Sequence, residues 1–212
     1  GECAGWKAAL WQIFDHDQQM IDYVQRICGY FLTGSVREEQ MFFLHGEGGN
    51  GKGTFIETLA AAMGGLATTV AMNTLIVTHN AEHPTEIAKL FGVRLAVASE
   101  TSEGARWNAA KIKMLTGSDQ LTGRYMRGDF FDFRPTHKLV VSSNRKPLLG
   151  RVDNAIVRRT VLLPFLVTFS APDKTLKERL VAEAPGILMW AIEGSLLWQR
   201  WGMSPPSKVV EA

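Results

Sequence analysis

Cysteine is nearly absent from the chain: Cys3 and Cys28 are the only two among 212 residues. Two thiols can neither staple a small secreted scaffold nor supply the four ligands of a cysteine zinc site, so they read as reduced thiols in a cytoplasm. Long apolar runs are missing too. The stretch from Val161 to Phe169 is broken by Pro164 and Thr168 and falls short of the roughly 18 to 20 apolar residues that a spanning helix needs, so no membrane span is expected. The opening GECAGWKAAL has neither an initiator Met nor a basic segment followed by an apolar core, which argues against a signal peptide and for a chain that starts inside a longer protein. The net charge of +2 is too small to imply a nucleic-acid partner by itself. His79 and His83 lack partners at ligand spacing, so no structural metal is expected. Neither an internal repeat nor a low-complexity segment is present.

What remains is a folded chain. Hydrophobic residues make up 46% and charged residues 21%, which excludes disordered and collagenous classes. The length fits one domain, or one with a small appendage. Asp15 and Gln18 form a capping pair ahead of Met20, Ile21, Val24, Ile27, Cys28 and Phe31, predicting a helix that ends near Gly34. Three short apolar runs read as buried strands: Met41 to Leu44, Leu95 to Ala98 and Leu139 to Ser142. A helix is predicted around Ala109 to Leu115, and Leu121 to Phe133 alternates enough for a hairpin about Gly128. Phe130, Phe131 and Phe133 on that hairpin could stack bases, but alternation on a hairpin more often means core packing. The segment from Pro185 to Trp201 is a helix apolar all round, to be buried by its own chain or by a neighbouring subunit. Strands alternating with helices predict a parallel α/β sheet with its site at the strands' C-terminal edge.

The chemistry starts at Gly46 to Lys52, which fit G-x-x-x-x-G-K with an apolar strand before and a helical pattern from Phe55 to Met63 after. Glycines let consecutive backbone N–H groups turn toward a phosphate, the helix N-terminus adds its dipole, and the lysine reaches the β and γ phosphates. The candidate nucleotide-binding residues are Gly46, Gly48, Gly49, Asn50, Gly51, Lys52, Gly53 and Thr54. Gly53 stands where a Ser or Thr hydroxyl normally ligates magnesium. Thr54 comes one position late and is expected to touch an α or β phosphate, with water at the magnesium position. Glu100, after the Leu95 strand, is the candidate carboxylate beside that ion, so Thr54 and Glu100 are the metal candidates; Glu103 is a second acid nearby. Either acid can instead cap a following helix. From Arg134 to Arg159 seven basic residues face one acid, Asp153, a patch that suits an anionic partner or a solvated face.

Taken together these segments resemble the superfamily 3 helicase domain of phage and plasmid replication proteins, the primase-helicase type, which is also related to the poxvirus ATPase. HPTEIAKLFGVRLAVASE, from His83, is similar to the segment leading into that family's acidic motif. KMLTGSDQLTGRYMRGDFFDFRPTHKL, from Lys113, resembles the motif particular to superfamily 3. LVVSSNRKP, from Leu139, resembles the sensor strand, and DNAIVRRTVLLPF, from Asp153, the arginine-finger segment, with Val157 where Trp is usual. GILMWAIEGSLLW, from Gly186, is similar to the C-terminal helix, and Trp6 to Gly34 to the helical N-terminal extension. Gly53 and Ser99 depart from the pattern, and both bear on metal binding.

The resemblance implies a P-loop NTPase core of AAA+-like type with a parallel sheet: a helical extension over 1–36, the ATPase core over 37–170 and a helical segment over 171–212. It implies that Lys52, Glu100, Asn144, Arg158 and Arg159 are catalytic. Asn144 would be the polar sensor for the γ phosphate and the attacking water, and Arg158 or Arg159, with the spelling favouring Arg159, a finger reaching a neighbour's nucleotide. Were both arginines in the strand after them, alternation would send them to opposite faces. Lys113 and Arg124 would bring positive charge to the nucleotide or subunit boundary. Arg127 at the hairpin tip, with Lys138 and Lys146, would contact DNA. The activity implied is ATP- and Mg2+-dependent DNA unwinding by a homo-oligomeric ring, a hexamer, on single-stranded or forked DNA. A primase or polymerase would share the full-length protein, in the cytoplasm of a bacterial host. A small-molecule phosphotransferase and an ATP-binding DNA or assembly module without turnover are the alternatives.

Overall fold

The computed structural model describes residues 2–78, 84–99, 106–144 and 154–210. Two helices come first, α1 (Ala4–Ile13) and α2 (Gln18–Leu32). The cap of α2 is Asp17, whose side chain accepts from the Met20 N–H at 3.1 Å. Asp15, expected in that role, instead sits with His16 at positive φ in the turn between the helices. Then follow β1 (Met41–His45), α3 (Lys52–Met63), β2 (Ala67–Thr69), α4 (Pro84–Ala88), β3 (Leu95–Ser99) and α5 (Ala109–Thr116). A hairpin of β4 (Leu121–Arg124) and β5 (Phe130–Phe133) leads to β6 (Lys138–Ser143). The chain continues through α6 (Asn154–Arg159), β7 (Thr160–Pro164), α7 (Leu176–Ala182), α8 (Ala184–Trp201) and α9 (Ser207–Val210).

The sheet runs β2-β3-β6-β1-β7, with every pairing parallel. Because side chains alternate across a strand, β1 feeds both faces. Phe42 and Leu44 enter one core with Leu95, Val97, Val140, Val161 and Leu163. Met41 and Phe43 enter the other with Ala96, Ala98, Leu139, Val141 and Leu162. Helices α1, α2, α3 and α8 supply buried residues to the first core, and α4, α5 and the hairpin to the second. A sheet covered on both faces explains why its strands read as near-continuous apolar runs. Residues from the N-terminal extension, the central segment and the C-terminal segment share the first core.

Two contacts fix the outer helices. The first-turn N–H groups of Gly5 and Trp6 donate to the Glu183 carboxylate at 3.0 and 2.9 Å, so an anion from the other end of the chain sits on the N-terminus of α1. Trp6 then stacks on Phe55 of α3 at 5.6 Å and meets Trp190 of α8 edge-on. Helices α2 and α8 meet at paired glycines. A Cβ on Gly29 would overlap the backbone of Gly194 and Ser195, and one on Gly194 would overlap the Gln25 carbonyl. The buried face of α8 is Ile187, Trp190, Ala191, Gly194 and Trp198, while Met189, Ile192 and Leu196 on its other face are exposed. Among the described residues no single helix is long and apolar enough to cross a membrane.

The glycine contact gives a direct test. Gly29→Ala should lower stability by about 1–3 kcal/mol through overpacking, read as a lower urea midpoint. Gly65→Ala, where nothing lies within 4 Å of an added Cβ, should not. Equal midpoints for the two variants would mean that α2 and α8 separate at no cost.

Candidate functional site

The segment from Gly46 to Gly51 crosses from the end of β1 to the start of α3, and its shape is set by what it presses against. Gly46 lies so close to β7's continuation that a Cβ would collide with the Phe165 carbonyl oxygen. Gly51, the residue before α3, is left-handed at φ 83°, where L side chains are strained. Asn50 is 3% exposed. Its amide nitrogen donates to the Glu47 carbonyl and, at 3.2 Å, to the Phe165 carbonyl. A further brace joins the Phe169 N–H to the Gly49 carbonyl at 2.9 Å.

Lys52 lies over this loop. Its Nζ donates to the Gly46 carbonyl at 2.5 Å, the Glu47 carbonyl at 3.1 Å and the Asn50 side-chain oxygen at 3.0 Å. Burial pushes its pKa below the usual lysine value. These acceptors are neutral, so a phosphate oxygen offers the ammonium a stronger, charge-assisted partner. Thr54 lines the cleft half-buried in the first turn of α3. Its hydroxyl is one of several that line this cleft, with those of Ser99, Ser142 and Ser143, and a hydroxyl is a hard oxygen donor of the kind that suits magnesium. Gly53 has ordinary backbone geometry, and a Cβ there would meet the end of the Glu57 side chain at 3.4 Å.

The same cleft, about 780 Å³, is lined by the strand ends next to the loop: Ser99 of β3, Ser142 and Ser143 of β6, and Asn144 just after it. Since β6 pairs with β1 as far as His45↔Ser143, Asn144 emerges beside the phosphate loop. Glu100, Glu103, Lys146, His79 and His83 lie outside the described residues.

The two arginines lie elsewhere. They close α6 and are not part of a strand, so the strand alternation expected for them does not apply. β7 starts at Thr160 beside Met41, and the loop starts only after His45 beside Pro164. At roughly 3.3 Å per residue, four residues of strand put about 13 Å between the arginines' edge of the sheet and the loop. Arg159 pairs with Glu39 of its own chain at 2.7 Å and is partly buried, whereas Arg158 is exposed.

Lys138 is a correction to the DNA surface. It is 2% exposed, and its Nζ donates to the carbonyl of Thr33, the residue closing α2, and to the Thr136 carbonyl at 3.1 Å. Its ammonium lies 5.0 Å from the Tyr30 ring centroid. Burial, with Arg94 nearby, pushes its pKa down to about 7. A central strand has no open face for a solvated lysine, and the last carbonyls of α2 need a donor, so Lys138 meets a structural need.

The hairpin keeps its predicted place and changes its surface. Arg127 is exposed at the tip with φ 59°, beside exposed Tyr125 and Met126. Phe133 is buried and Phe131 half-buried, but Phe130 is 61% exposed, against the expectation that all three pack in the core. Alternation explains it: Phe131 and Phe133 share one face of β5, and Phe130 shares the other with Asp132. Arg124 braces the turn by donating to the Gly128 carbonyl at 2.8 Å, with its guanidinium 4.9 Å from the Phe130 ring centroid.

A parallel sheet, a glycine loop between strand and helix, a buried lysine on that loop and a polar residue at the end of the neighbouring strand define a P-loop NTPase core. Residues 44–159, more than half the chain, match the model of DUF5906, a family of unknown function, and the chain belongs to that family. It is 26% identical over 177 residues to "Putative helicase L207/L206" of Acanthamoeba polyphaga mimivirus, covering 82% of this chain and 18% of that protein. It is 34% identical over 153 residues to "Putative helicase 022R" of Frog virus 3, covering 68% and 15%. With "Putative helicase 184R" of Invertebrate iridescent virus 6 it shares 30% over 178 residues, covering 77% and 18%. The chain thus spans less than a fifth of each relative. Among solved structures, two apo forms of the C-terminal region of NrS-1 superpose with TM-scores of 0.70 and 0.68 at 12% and 14% identity. Each covers 91% of this chain and 46% of that one. At such identity the likeness is one of fold.

The reassignment of Lys138 can be checked directly. Lys138→Met should lower stability by about 1–3 kcal/mol, because buried carbonyls lose their donor, and should leave affinity for single-stranded DNA unchanged. A loss of DNA affinity in the folded variant would return Lys138 to the DNA surface.

Proposed function

We propose that the chain is the ATP-hydrolysing helicase domain of a phage, plasmid or viral replication protein. It works as a homo-oligomeric ring, a hexamer, that moves along single-stranded or forked DNA, with a primase or polymerase elsewhere in the full-length protein. The observation that carries the reading is the division of the machinery between two edges of one sheet. Lys52, Thr54 and Asn144 gather at the C-terminal edge, and Arg158 lies at the opposite edge. An arginine so placed is too far from its own loop to act there, and in a ring that edge of the sheet would face a neighbour's nucleotide.

The steps follow from the residues. Loop N–H groups and the α3 N-terminus take up the phosphates, and Lys52 exchanges its carbonyl partners for the β and γ oxygens. Magnesium, when bound, neutralises charge on those phosphates, with Thr54 and Glu100 as the residues that would hold it. Asn144 donates to the γ phosphate and orients the attacking water. Glu100 supplies the carboxylate that polarises this water. Arg158 of the adjacent subunit meets charge spreading over the γ-phosphate oxygens, while Arg159, tied to Glu39, holds α6 in place. Arg127 at the hairpin tip grips a DNA phosphate, and the exposed aromatics around it suit an unpaired strand.

Two experiments test this. Lys52→Ala should abolish phosphate release from ATP with the fold intact, and Arg127→Ala should weaken single-stranded DNA binding and flatten its salt dependence by about one unit of slope. Normal turnover in the first variant, or an unchanged slope in the second, rejects the corresponding role. The subunit boundary is tested by mixing: inactive Lys52→Ala and inactive Arg158→Ala subunits should together regain part of the ATPase activity, because some interfaces then pair an intact loop with an intact finger. Mixed oligomers that stay inactive would overturn the action in trans.

A further inference from the structure

The cleft continues past the groups that phosphate chemistry uses. Beyond Thr54 it runs between α1 and the segment leading into α7. One wall is Ala9, Gln12 and Ile13, spaced to share a face of α1; the other is Phe169, Pro172 and Leu176. Both walls are joined to the phosphate loop. A Cβ on Gly51 would lie 2.8 Å from Ile13 Cγ1 and 3.7 Å from the Phe169 ring, and the Phe169 N–H donates to Gly49. A ligand anchored on the loop by its phosphates therefore extends between these walls. A volume of about 780 Å³ suits a whole small-molecule ligand, within the roughly 300–1,000 Å³ usual for such sites.

The polar groups at this end are mostly committed. Glu57 pairs with Lys177 at 2.7 Å. Asp173 accepts from the Thr175 N–H and hydroxyl at 2.9 and 2.7 Å and pairs with Arg179. Gln12 is exposed on α1 and makes no side-chain hydrogen bond to any described residue. Its amide carries both donors and an acceptor and presents either by rotation. Adenine offers an amino donor beside a ring acceptor, and guanine a carbonyl acceptor beside a ring donor. One rotatable amide fits both edges.

We propose that the slot between α1 and residues 169–176 is the nucleobase subsite, that it holds purines in preference to pyrimidines by stacking and apolar contact, and that Gln12 reads the base edge without separating adenine from guanine. This rests on the nucleotide reading of the phosphate loop. A bicyclic base covers more of the apolar walls and of the half-buried Phe169 ring than a pyrimidine does. Neither wall belongs to residues 44–159, where the family match lies.

The test is competition against a fluorescent N-methylanthraniloyl ATP with magnesium, on the purified chain, using ATP, GTP, CTP, UTP and inorganic tripolyphosphate. ATP and GTP should bind within about threefold of each other, the pyrimidine nucleotides about fivefold more weakly or worse, and tripolyphosphate most weakly. Leu176→Asp should weaken ATP and GTP by about tenfold and leave tripolyphosphate within about twofold. Gln12→Ala, at an exposed helical position that the fold tolerates, should weaken both purines severalfold with their ratio preserved and tripolyphosphate unmoved. GTP weaker than ATP by more than about tenfold, UTP equal to ATP, or wall variants that alter ATP and tripolyphosphate equally or not at all would overturn the subsite. Failure of ATP and tripolyphosphate alike to bind the wild-type chain would overturn the phosphate-loop reading and the subsite with it.

Discussion

The buried amide of Asn50 holds the phosphate end of the site in place. It donates to a carbonyl of its own loop and to Phe165 beyond β7, and it accepts from the Lys52 ammonium. Without it, buried carbonyls would lose their donor and the lysine one of its acceptors, in surroundings where unpaired polar groups are expensive. Because Gly46 has no Cβ, the loop can curl onto the Phe165 carbonyl that Asn50 grips. Strand, loop and lysine are thus fixed relative to one another by a single side chain that never needs to touch the phosphate.

Much of this could be read along the chain. The apolar runs at Met41, Leu95 and Leu139 are strands because a parallel sheet covered on both faces leaves no position for polar alternation. The phosphate loop was legible because its glycines and lysine act within seven consecutive residues. Long-range partners were not. Asn50 meets Phe165 across 115 positions, and Glu183 caps α1 across 178, distances at which local pattern carries no information. The wall of Ala9, Gln12 and Ile13 looks like any amphipathic helix until α1 is seen lying against Gly51. Phe130 is hard to place for a nearer reason: period two distributes neighbouring aromatics over both faces of β5, and it is Phe131 and Phe133 that meet Phe91.

Two of the seven basic residues from Arg134 to Arg159 serve the fold itself. Lys138 is consumed in closing α2, and Arg159 in holding Glu39. Each neutralises or caps something within the fold, so neither contributes to a field that an external anion would sense. Of the DNA contacts expected from the sequence, Arg127 is the one that the described residues present at the surface. It stands at a turn whose geometry is maintained by Arg124 and whose aromatic neighbours are exposed.

The nucleotide cleft is assembled from both ends of the chain around a middle that carries the recognisable motifs. Residues 44–159 contain the loop, the lysine and the sensor strand, but they contain neither Asn50's partner Phe165 nor the helix that packs on Gly51. α1 reaches that position because Glu183, from the segment joining α7 to α8, satisfies its first N–H groups, and because Trp6 is clamped between Phe55 and Trp190. The Gly29 and Gly194 contact in turn sets where α8, and hence Trp190, can lie. Placement of the loop's roof is therefore transmitted through packing from α2 to α8 to α1. A change in the distant glycine pair would be felt at the cleft without touching any residue that binds phosphate.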